Sequence, residues 1–304
     1  MLFALALIPV IILLIVIYKK DKNEKEPKGL LAALFFVGMS TAVPAIIAEV
    51  IGDLILEFFF SYAPMLKELL SAFFVVAVVE ELGKYLVLRG LTWKNKHFNY
   101  SYDAIVYSVF ASLGFAAIEN VGYVIGNGWG TGILRMFTAV PGHACFAVFM
   151  GFFYSKAKCA EVKGDKQEMN RNNALSLIFP ILLHGVYDGI VMGGVVSDDL
   201  LLTGLSLLLW VGFVFLMFAA SIVVVIRAAK NDYCFVFIPD TGWTYYRPAV
   251  AGNWTCACGK FNQLNYCWAC GRPRPTVNVW NCPNCGTVCT LRFCGNCGAR
   301  GPYA

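Results

Sequence analysis

MLFALALIPVIILLIVIY (residues 1–18), followed by KKDKNEKEPK (residues 19–28), is the stretch of sequence that predicts the fold class. The first part is apolar throughout and long enough for a helix that crosses the roughly 30 Å of hydrocarbon in a bilayer. A cleaved signal peptide has its positive charges before the apolar stretch, whereas here they follow it. We therefore expect a retained first membrane span with its N-terminus outside.

Comparable apolar stretches recur through the first 230 residues. Of the 304 residues, 59% are apolar and only 14% are charged, whereas soluble globular proteins are about one quarter charged. The sequence therefore predicts an all-α polytopic membrane bundle of about seven transmembrane helices, with a small C-terminal zinc-ribbon domain. The predicted spans lie near residues 2–18, 29–51, 67–89, 101–125, 133–157, 172–195 and 200–228.

The distribution of lysine and arginine among the loops predicts the orientation. Basic residues concentrate in the first, third and fifth predicted loops, while the alternate loops are mostly acidic or uncharged. Seven spans, with the N-terminus outside and the C-terminus in the cytoplasm, place all three basic loops inside. We therefore expect a multi-pass protein of the plasma membrane that contacts lipid along its spans.

Nine of the twelve cysteines lie between Cys256 and Cys297, mostly as closely spaced pairs. Such pairs are typical of zinc sites on the reducing side of a membrane, and Zn²⁺ binds four thiolates in a tetrahedron. Eight cysteines therefore fit two structural Zn²⁺ ions, and Cys289 is left over. The predicted ligands are Cys256, Cys258, Cys267, Cys270, Cys282, Cys285, Cys294 and Cys297.

These patterns divide the chain into a transmembrane domain (1–230), a linker (231–253) and a double zinc ribbon (254–304). A zinc site closed by four cysteines has no open position for water, so we expect the tail to fold around its metal and not to catalyse. Its small surplus of basic residues and its aromatic residues could suit nucleic acid. We nevertheless expect a protein partner in the cytoplasm, and nucleic acid is the less favoured partner.

A few ionisable side chains interrupt the predicted spans, where a central Asp, Lys or Arg costs roughly 2.5–3.5 kcal/mol if left uncompensated. That cost is offset when such groups share a polar site in the bundle interior. All of them fall near the middle of the bilayer, so we expect a single cluster. They are Glu80, Glu81 and Lys84 in the third span, Glu119 in the fourth, His143 in the fifth, and His184 and Asp188 in the sixth.

Two carboxylates and two imidazoles suit a divalent metal with an open coordination position. Histidine nitrogens and one glutamate oxygen would bind the metal, and a second glutamate would take the proton from bound water. Asp188 would orient His184 from one helical turn away. Two other interpretations use the same residues. They are structural pairs that hold a non-enzymatic scaffold or sensor together, and an ion or proton pathway.

Four motifs on successive spans resemble the PrsW family of intramembrane metalloproteases, which is related to the CAAX prenyl endopeptidases and the abortive-infection proteins. The resemblance covers roughly residues 1–228, and the tail resembles the double zinc ribbons of many bacterial membrane proteins. The motifs are Glu80-Glu81-x-x-Lys84, Phe115-x-x-x-Glu119-Asn120, His143 and His184-x-x-x-Asp188.

The resemblance implies an endopeptidase that cleaves a membrane-anchored protein, for example a regulator such as an anti-sigma factor. It implies that Glu80 and Glu81 supply the general base and a metal contact, without deciding between them. His143, His184 and Glu119 would hold one catalytic divalent metal, expected to be Zn²⁺. The alternative is a membrane scaffold or sensor whose cytoplasmic zinc ribbons bind a partner. The expected catalytic set is Glu80, Glu81, Glu119, His143, His184 and Asp188.

Overall fold

The computed structural model describes residues 2–21, 23–195, 199–238 and 242–246, together with four two-residue strands in the C-terminal tail. The chain divides into two compact units, Met1–Arg247 and Pro248–Ala304.

The described part of the first unit consists of nine α-helices, a π-helical turn between α4 and α5, and one hairpin. The helices are α1 (Leu2–Lys20), α2 (Lys28–Ser40), α3 (Ala42–Phe60), α4 (Pro64–Leu70), α5 (Val78–Thr92), α6 (Asp103–Phe137), α7 (Ala139–Val162), α8 (Lys166–Val195) and α9 (Leu200–Lys230). The π-helical turn is Ser71–Ala77.

Five helical stretches of the described residues are long and apolar enough to cross a membrane, which confirms a helical, multi-pass membrane protein. They are Phe3–Lys20, Lys28–Phe60, Asp103–Val162, Lys166–Gly194 and Leu200–Lys230. The predicted count of seven stays a prediction. The predicted third span (67–89) corresponds to α4, the π-helical turn and α5 and is not among the five. It carries six charged side chains: Lys67, Glu68, Glu80, Glu81, Lys84 and Arg89.

Two predicted boundaries differ from the structure. The predicted second span (29–51) is instead two helices: α2 ends at Ser40, and α3 begins at Ala42 and continues to Phe60. The break occurs because Pro44 has no N–H for the carbonyl of Ser40 and its ring clashes with that carbonyl. The loop predicted between residues 125 and 133 is instead helical. The helix α6 breaks only at Gly128, whose φ of 78° is accessible to glycine.

The stretch Asp103–Val162, which contains α6 and α7, forms the centre of the bundle. In its apolar portion 78% of the residues are buried, compared with 22–33% in the other four stretches. Small residues allow close packing here. The hydroxyl of Ser108 donates to the carbonyl of Ala147 (2.7 Å), and that of Ser112 donates to the carbonyl of His143 (2.9 Å).

Helix α2 crosses α6 at two glycines. A Cβ atom on Gly38 would clash with the carbonyl of Ala111, and one on Gly114 would clash with the carbonyl of Phe35. The two backbones therefore approach as closely as glycine permits, which holds α2 against the central helix pair.

After α9, strands β1 (Cys234–Ile238) and β2 (Gly242–Tyr246) form an antiparallel hairpin within the predicted linker. The N–H of Phe235 donates to the carbonyl of Asn99 (2.6 Å), and its buried ring stacks edge-on against Phe98. The hairpin thus belongs to the helical unit by its packing.

In the second unit, β3 (Trp254–Thr255) pairs with β4 (Phe261–Asn262), and β5 (Trp280–Asn281) pairs with β6 (Val288–Cys289). Cys256 and Cys258 follow β3 in the chain, and Cys282 and Cys285 follow β5. All eight predicted zinc ligands lie outside the described residues, so the zinc sites stay a prediction.

The crossing of α2 and α6 predicts a strong effect of Gly114→Ala. The added methyl group meets the carbonyl of Phe35, and overpacking of this kind costs about 1–3 kcal/mol. We expect a lower midpoint of thermal unfolding in detergent. The matched control is Gly126→Ala on the same helix, where a Cβ has no neighbour within 4 Å. Equal midpoints for the two variants would contradict the close crossing.

Candidate active site

Helix α5 carries three ionisable side chains that are almost completely buried: Glu80, Glu81 and Lys84. The Lys84 Nζ atom lies 2.9 Å from Oε2 of Glu80 and 2.7 Å from Oε1 of Glu81. Spacings of four and three residues place these side chains on neighbouring parts of one helix face. The ring of Phe115 lies 4.4 Å from the ammonium, in a cation–π contact. The lysine therefore compensates carboxylate charge that would be costly in hydrocarbon.

Local sequence brings α5 and α8 together. On α8, Gly185 and Gly189 lie one turn apart and leave a flat face, against which Phe73 of the π-helical turn packs closely. Helical turns of this rare type often occur at functional sites. Because the turn leads directly into α5, its contact with α8 places Glu81 beside His184.

His143, on α7, joins the α5 charges to α6. Its Nδ1 atom lies 3.0 Å from Nζ of Lys84, and its Nε2 atom lies 2.7 Å from Oε2 of Glu119. An ammonium group only donates hydrogen bonds, so Nδ1 accepts here. The hydrogen on Nε2 is then free to bind the Glu119 carboxylate. The two contacts fix both the orientation and the tautomer of the ring.

Glu119 is itself held by groups farther along α6. Its Oε1 atom lies 2.9 Å from a terminal nitrogen of Arg135, and the Arg135 Nε atom donates to Oδ1 of Asn120 at 3.0 Å. The Asn120 side-chain amide donates to the carbonyl of Ala6 in α1 at 3.0 Å. Asn120 therefore links the first helix to the site and positions Arg135 beside Glu119.

His184, on α8, lies between two carboxylates. Its Nδ1 atom is 3.0 Å from Oε1 of Glu81, and its Nε2 atom is 3.1 Å from Oδ2 of Asp188. The ring stacks on Phe146 with a centroid separation of 4.6 Å. Asp188 contacts His184 as the one-turn spacing predicts. Residues predicted from four different spans thus lie in one connected cluster.

A cavity of about 460 Å³ opens beside this cluster, and the two α5 glutamates differ in whether they line it. Glu80 lines the cavity, whereas Glu81 and Lys84 lie behind the wall and are 0% exposed. Spacing alone leaves the choice between the two glutamates open. The remaining polar groups on the wall are Glu49, Glu119, Tyr123, Asn127, Arg135, His143, His184, Tyr187 and Asp188.

Two charged residues of the cavity, Glu49 and Arg135, are absent from the set predicted from the sequence. Glu49 lies on α3, and its Oε1 atom is buried with no hydrogen-bond partner among the described residues. It falls within the predicted second span. The criterion that selected Glu119, an ionisable side chain inside an apolar span, could therefore have identified it. Arg135 lies near the end of α6, within a stretch assigned to the start of a span.

The donor atoms suit a divalent metal. Glu80, Glu81 and His184 each offer a ligand atom within 4.8 Å of the other two, and Oε2 of Glu81 is buried without a hydrogen-bond partner among the described residues. Nitrogen and carboxylate oxygen are donors that Zn²⁺ accepts. This grouping differs from the predicted ligands His143, His184 and Glu119, because His143 and Glu119 are paired with each other.

Comparison with known proteins identifies a family and several relatives of this chain. The model of the "PrsW family intramembrane metalloprotease" matches residues 26–224. The protein named Protease PrsW of Clostridioides difficile is 38% identical over 198 residues, which cover 63% of this chain and 79% of the relative. That of Oceanobacillus iheyensis is 34% identical over 203 residues, covering 67% and 88%. No solved structure matches the chain significantly.

The chain belongs to the PrsW family of intramembrane proteases. The matched region contains α2 to α8 and most of α9, and therefore every residue of the cluster. The prediction of a membrane-embedded protease is confirmed, and the enzyme is favoured over the scaffold or sensor. The matched region ends before the cysteine-rich tail.

Replacing Lys84 with Met, which keeps the length but removes the charge, is expected to lower stability by about 3–5 kcal/mol. The reason is that two buried carboxylates lose their compensating charge. The measurement is the midpoint of thermal unfolding in detergent. The control is Lys67→Met, since the contact of Lys67 with the exposed Glu57 (2.8 Å) is worth at most about 1 kcal/mol. A Lys84 variant as stable as the Lys67 variant would contradict the role of the buried ammonium.

Proposed function

We propose that this protein hydrolyses a peptide bond in a membrane-anchored substrate protein, with Glu80 as the general base. The observation that carries the proposal is the cavity, because Glu80, His143 and His184 share its wall while Glu81 and Lys84 are enclosed behind it. A base must reach the water that it deprotonates, so geometry favours Glu80 over Glu81.

The rim of the cavity supports a substrate that enters from the hydrocarbon. Val43 and Ile46 of α3 line the cavity and are also exposed on the outside of the bundle, as is Ile118 of α6. An apolar rim around a polar wall suits a peptide segment whose flanks are buried in lipid and whose scissile bond reaches the carboxylates.

The residues of the cluster divide the chemistry among them. Glu80 accepts the proton of the attacking water. Lys84 offsets negative charge of the glutamate pair, and His143 is held at the cavity wall between Lys84, from which its Nδ1 accepts, and Glu119, to which its Nε2–H donates. Asp188 orients His184. Because these groups are enclosed in a helical bundle, their electrostatic interactions are stronger than they would be in water.

Glu81 and His184, 3.0 Å apart, would hold a divalent metal, with Glu80 close enough to share it. When bound, such a metal polarises the scissile carbonyl and makes a water molecule more acidic. The set His143, His184 and Glu119 is the alternative. The two sets make different predictions for Glu81, which the metal measurement below distinguishes.

Glu80→Gln is expected to reduce cleavage by about 10²–10⁴-fold, since the amide cannot accept the proton. The measurement is the rate at which a tagged, membrane-anchored anti-sigma factor is cleaved in proteoliposomes. The matched control is Glu57→Gln, which replaces an exposed carboxylate on α3. This variant should cleave the substrate at the wild-type rate. Wild-type cleavage by Glu80→Gln would rule out this base.

Metal content tests the cofactor. We expect the purified protein to hold three Zn²⁺ ions, two in the tail and one among the spans, by mass spectrometry. A full-length variant with the eight tail cysteines changed to serine should keep one. In that background His184→Ala should lose it under either ligand set. Glu81→Gln should lose it if the Glu81 set holds the metal, and keep it if the His143 set does. A cysteine variant that retains no metal would overturn the metalloprotease mechanism.

The remaining features of the proposal concern topology and partners. We place the protein in the plasma membrane, with seven spans and the N-terminus outside. This topology would put the zinc ribbons in the cytoplasm. There they would bind a protein partner, and the substrate would be a regulator such as an anti-sigma factor. The support is the distribution of basic loops and the paired cysteines.

A further inference from the structure

A second group of acidic side chains lies away from the protease site, where the loop between α1 and α2 meets the start of α6. Asp21 and Glu26 belong to the loop, and Asp103 is the first residue of α6. They are 2%, 3% and 0% exposed. Each offers a carboxylate oxygen within 4.8 Å of those of the other two. Three buried carboxylates at such distances repel one another strongly without a compensating charge.

Hydrogen bonds satisfy this cluster only in part. Oδ2 of Asp21 and Oδ1 of Asp103 are buried oxygens without a hydrogen-bond donor among the described residues. The other oxygen of Asp103 accepts from the N–H groups of Asn99 and Tyr100, at 3.1 and 2.6 Å. Glu26 accepts from the hydroxyl of Tyr107. One oxygen of Asp103 is therefore anchored, while the other is left free within the cluster.

The nearby Asp232 shows that only some buried carboxylates of this region lack hydrogen-bond donors. Its two oxygens accept three hydrogen bonds, from Ser101 Oγ (2.8 Å), the N–H of Tyr102 (2.8 Å) and Asn23 Nδ2 (2.7 Å). The same region thus satisfies one buried aspartate fully. It leaves oxygens of two others without donors.

Basic side chains of the described residues form no ion pair with Asp21, Glu26 or Asp103. The charge of Lys25 acts on Asp21, while its ammonium contacts the backbone carbonyls of Tyr18 and Asp21. Because these side chains are buried, their ionised forms are costly unless a cation lies close to them.

We propose that Asp21, Glu26 and Asp103 form a binding site for a hard divalent cation, Ca²⁺ or Mg²⁺. All-oxygen carboxylate sites are what these cations bind. Ligand oxygens around Ca²⁺ lie up to about 5 Å apart and those around Mg²⁺ up to about 4 Å, so oxygens within 4.8 Å of one another are close enough to share such a cation. The bound cation ties the first loop to the start of α6. It would be separate from the zinc tail and from the cluster around Glu80.

The test uses the purified full-length protein in detergent, in a buffer that keeps Zn²⁺ but lacks Ca²⁺ and Mg²⁺. Each cation is titrated separately, with heat of binding and the midpoint of thermal unfolding as the two readouts. We expect binding of at least one cation and a midpoint that rises with its concentration. The cation that binds more tightly identifies the natural class. If neither binds or shifts the midpoint, the proposal is overturned, and the carboxyls are satisfied by shared protons.

Asp21→Asn is expected to weaken the affinity by at least ~10-fold, because one charged ligand is lost. Without cation, this variant should be as stable as the wild type or more so, since it removes an uncompensated buried charge. A purely structural role for Asp21 predicts the opposite, a loss of stability with and without cation. The matched control is Glu24→Gln, an exposed acid of the same loop that contacts Asn99, whose affinity should not change.

Glu26→Gln provides a second variant if Asp21→Asn does not fold. The amide oxygen can still accept from Tyr107, so the loop keeps that contact while the cluster loses a charge. We expect the same loss of affinity of at least ~10-fold. Wild-type affinity in a folded Asp21→Asn or Glu26→Gln variant would overturn the site.

Discussion

Lys84 lies within 2.9 Å of both Glu80 and Glu81 and has no exposed surface. This contact allows two adjacent carboxylates to remain in the interior of an apolar bundle, where neither could be left uncompensated. Lys84 also contacts His143 at 3.0 Å, so the ammonium links α5 to α7 and, through His143, to Glu119 on α6. The protease site therefore depends on the buried ammonium group of Lys84.

Close packing of the central helices makes this chain of contacts possible. Glycines at the crossing of α2 with α6, and on the face of α8 that meets the π-helical turn, reduce the distance between backbones. Hydrogen bonds span only about 3 Å, so a small increase in helix separation would break the contact between Glu81 and His184. Residues far from the chemistry, such as Gly185, thus position it by letting helices approach.

The two acidic clusters of the described residues differ in how their charge is balanced. Glu80 and Glu81 lie beside Lys84 of their own helix, and His184 of α8 completes the group. Asp21, Glu26 and Asp103 have no such partner among the described residues, and they lie where the chain leaves the apolar helices. We interpret the first as a reaction site that keeps its charges balanced internally, and the second as a site that takes its balancing charge from outside.

The sequence by itself determined the class of protein, because an apolar stretch of sufficient length can be stable only in lipid or in a core. It also identified most of the ionisable residues of the site, since their cost inside a span is intrinsic to the residue and its depth, but it missed Glu49 and Arg135. Spacings within one helix, such as Glu80 to Lys84 and His184 to Asp188, were predictable because helix geometry is regular. The cysteine pairs predict zinc for the same reason, that local spacing sets the geometry of neighbouring ligands.

Only the tertiary structure decided which of these groups face one another and which face the cavity. Glu81 and His184 are 103 residues apart, and their contact depends on the rotation of α5 and α8 about their own axes, which apolar periodicity defines poorly when a helix is apolar on every side. The same rotation places Glu80 on the cavity wall and Glu81 behind it. Glu49 and Arg135 join the site, and Asp21 meets Asp103, through packing between segments distant in the chain, which no local pattern encodes.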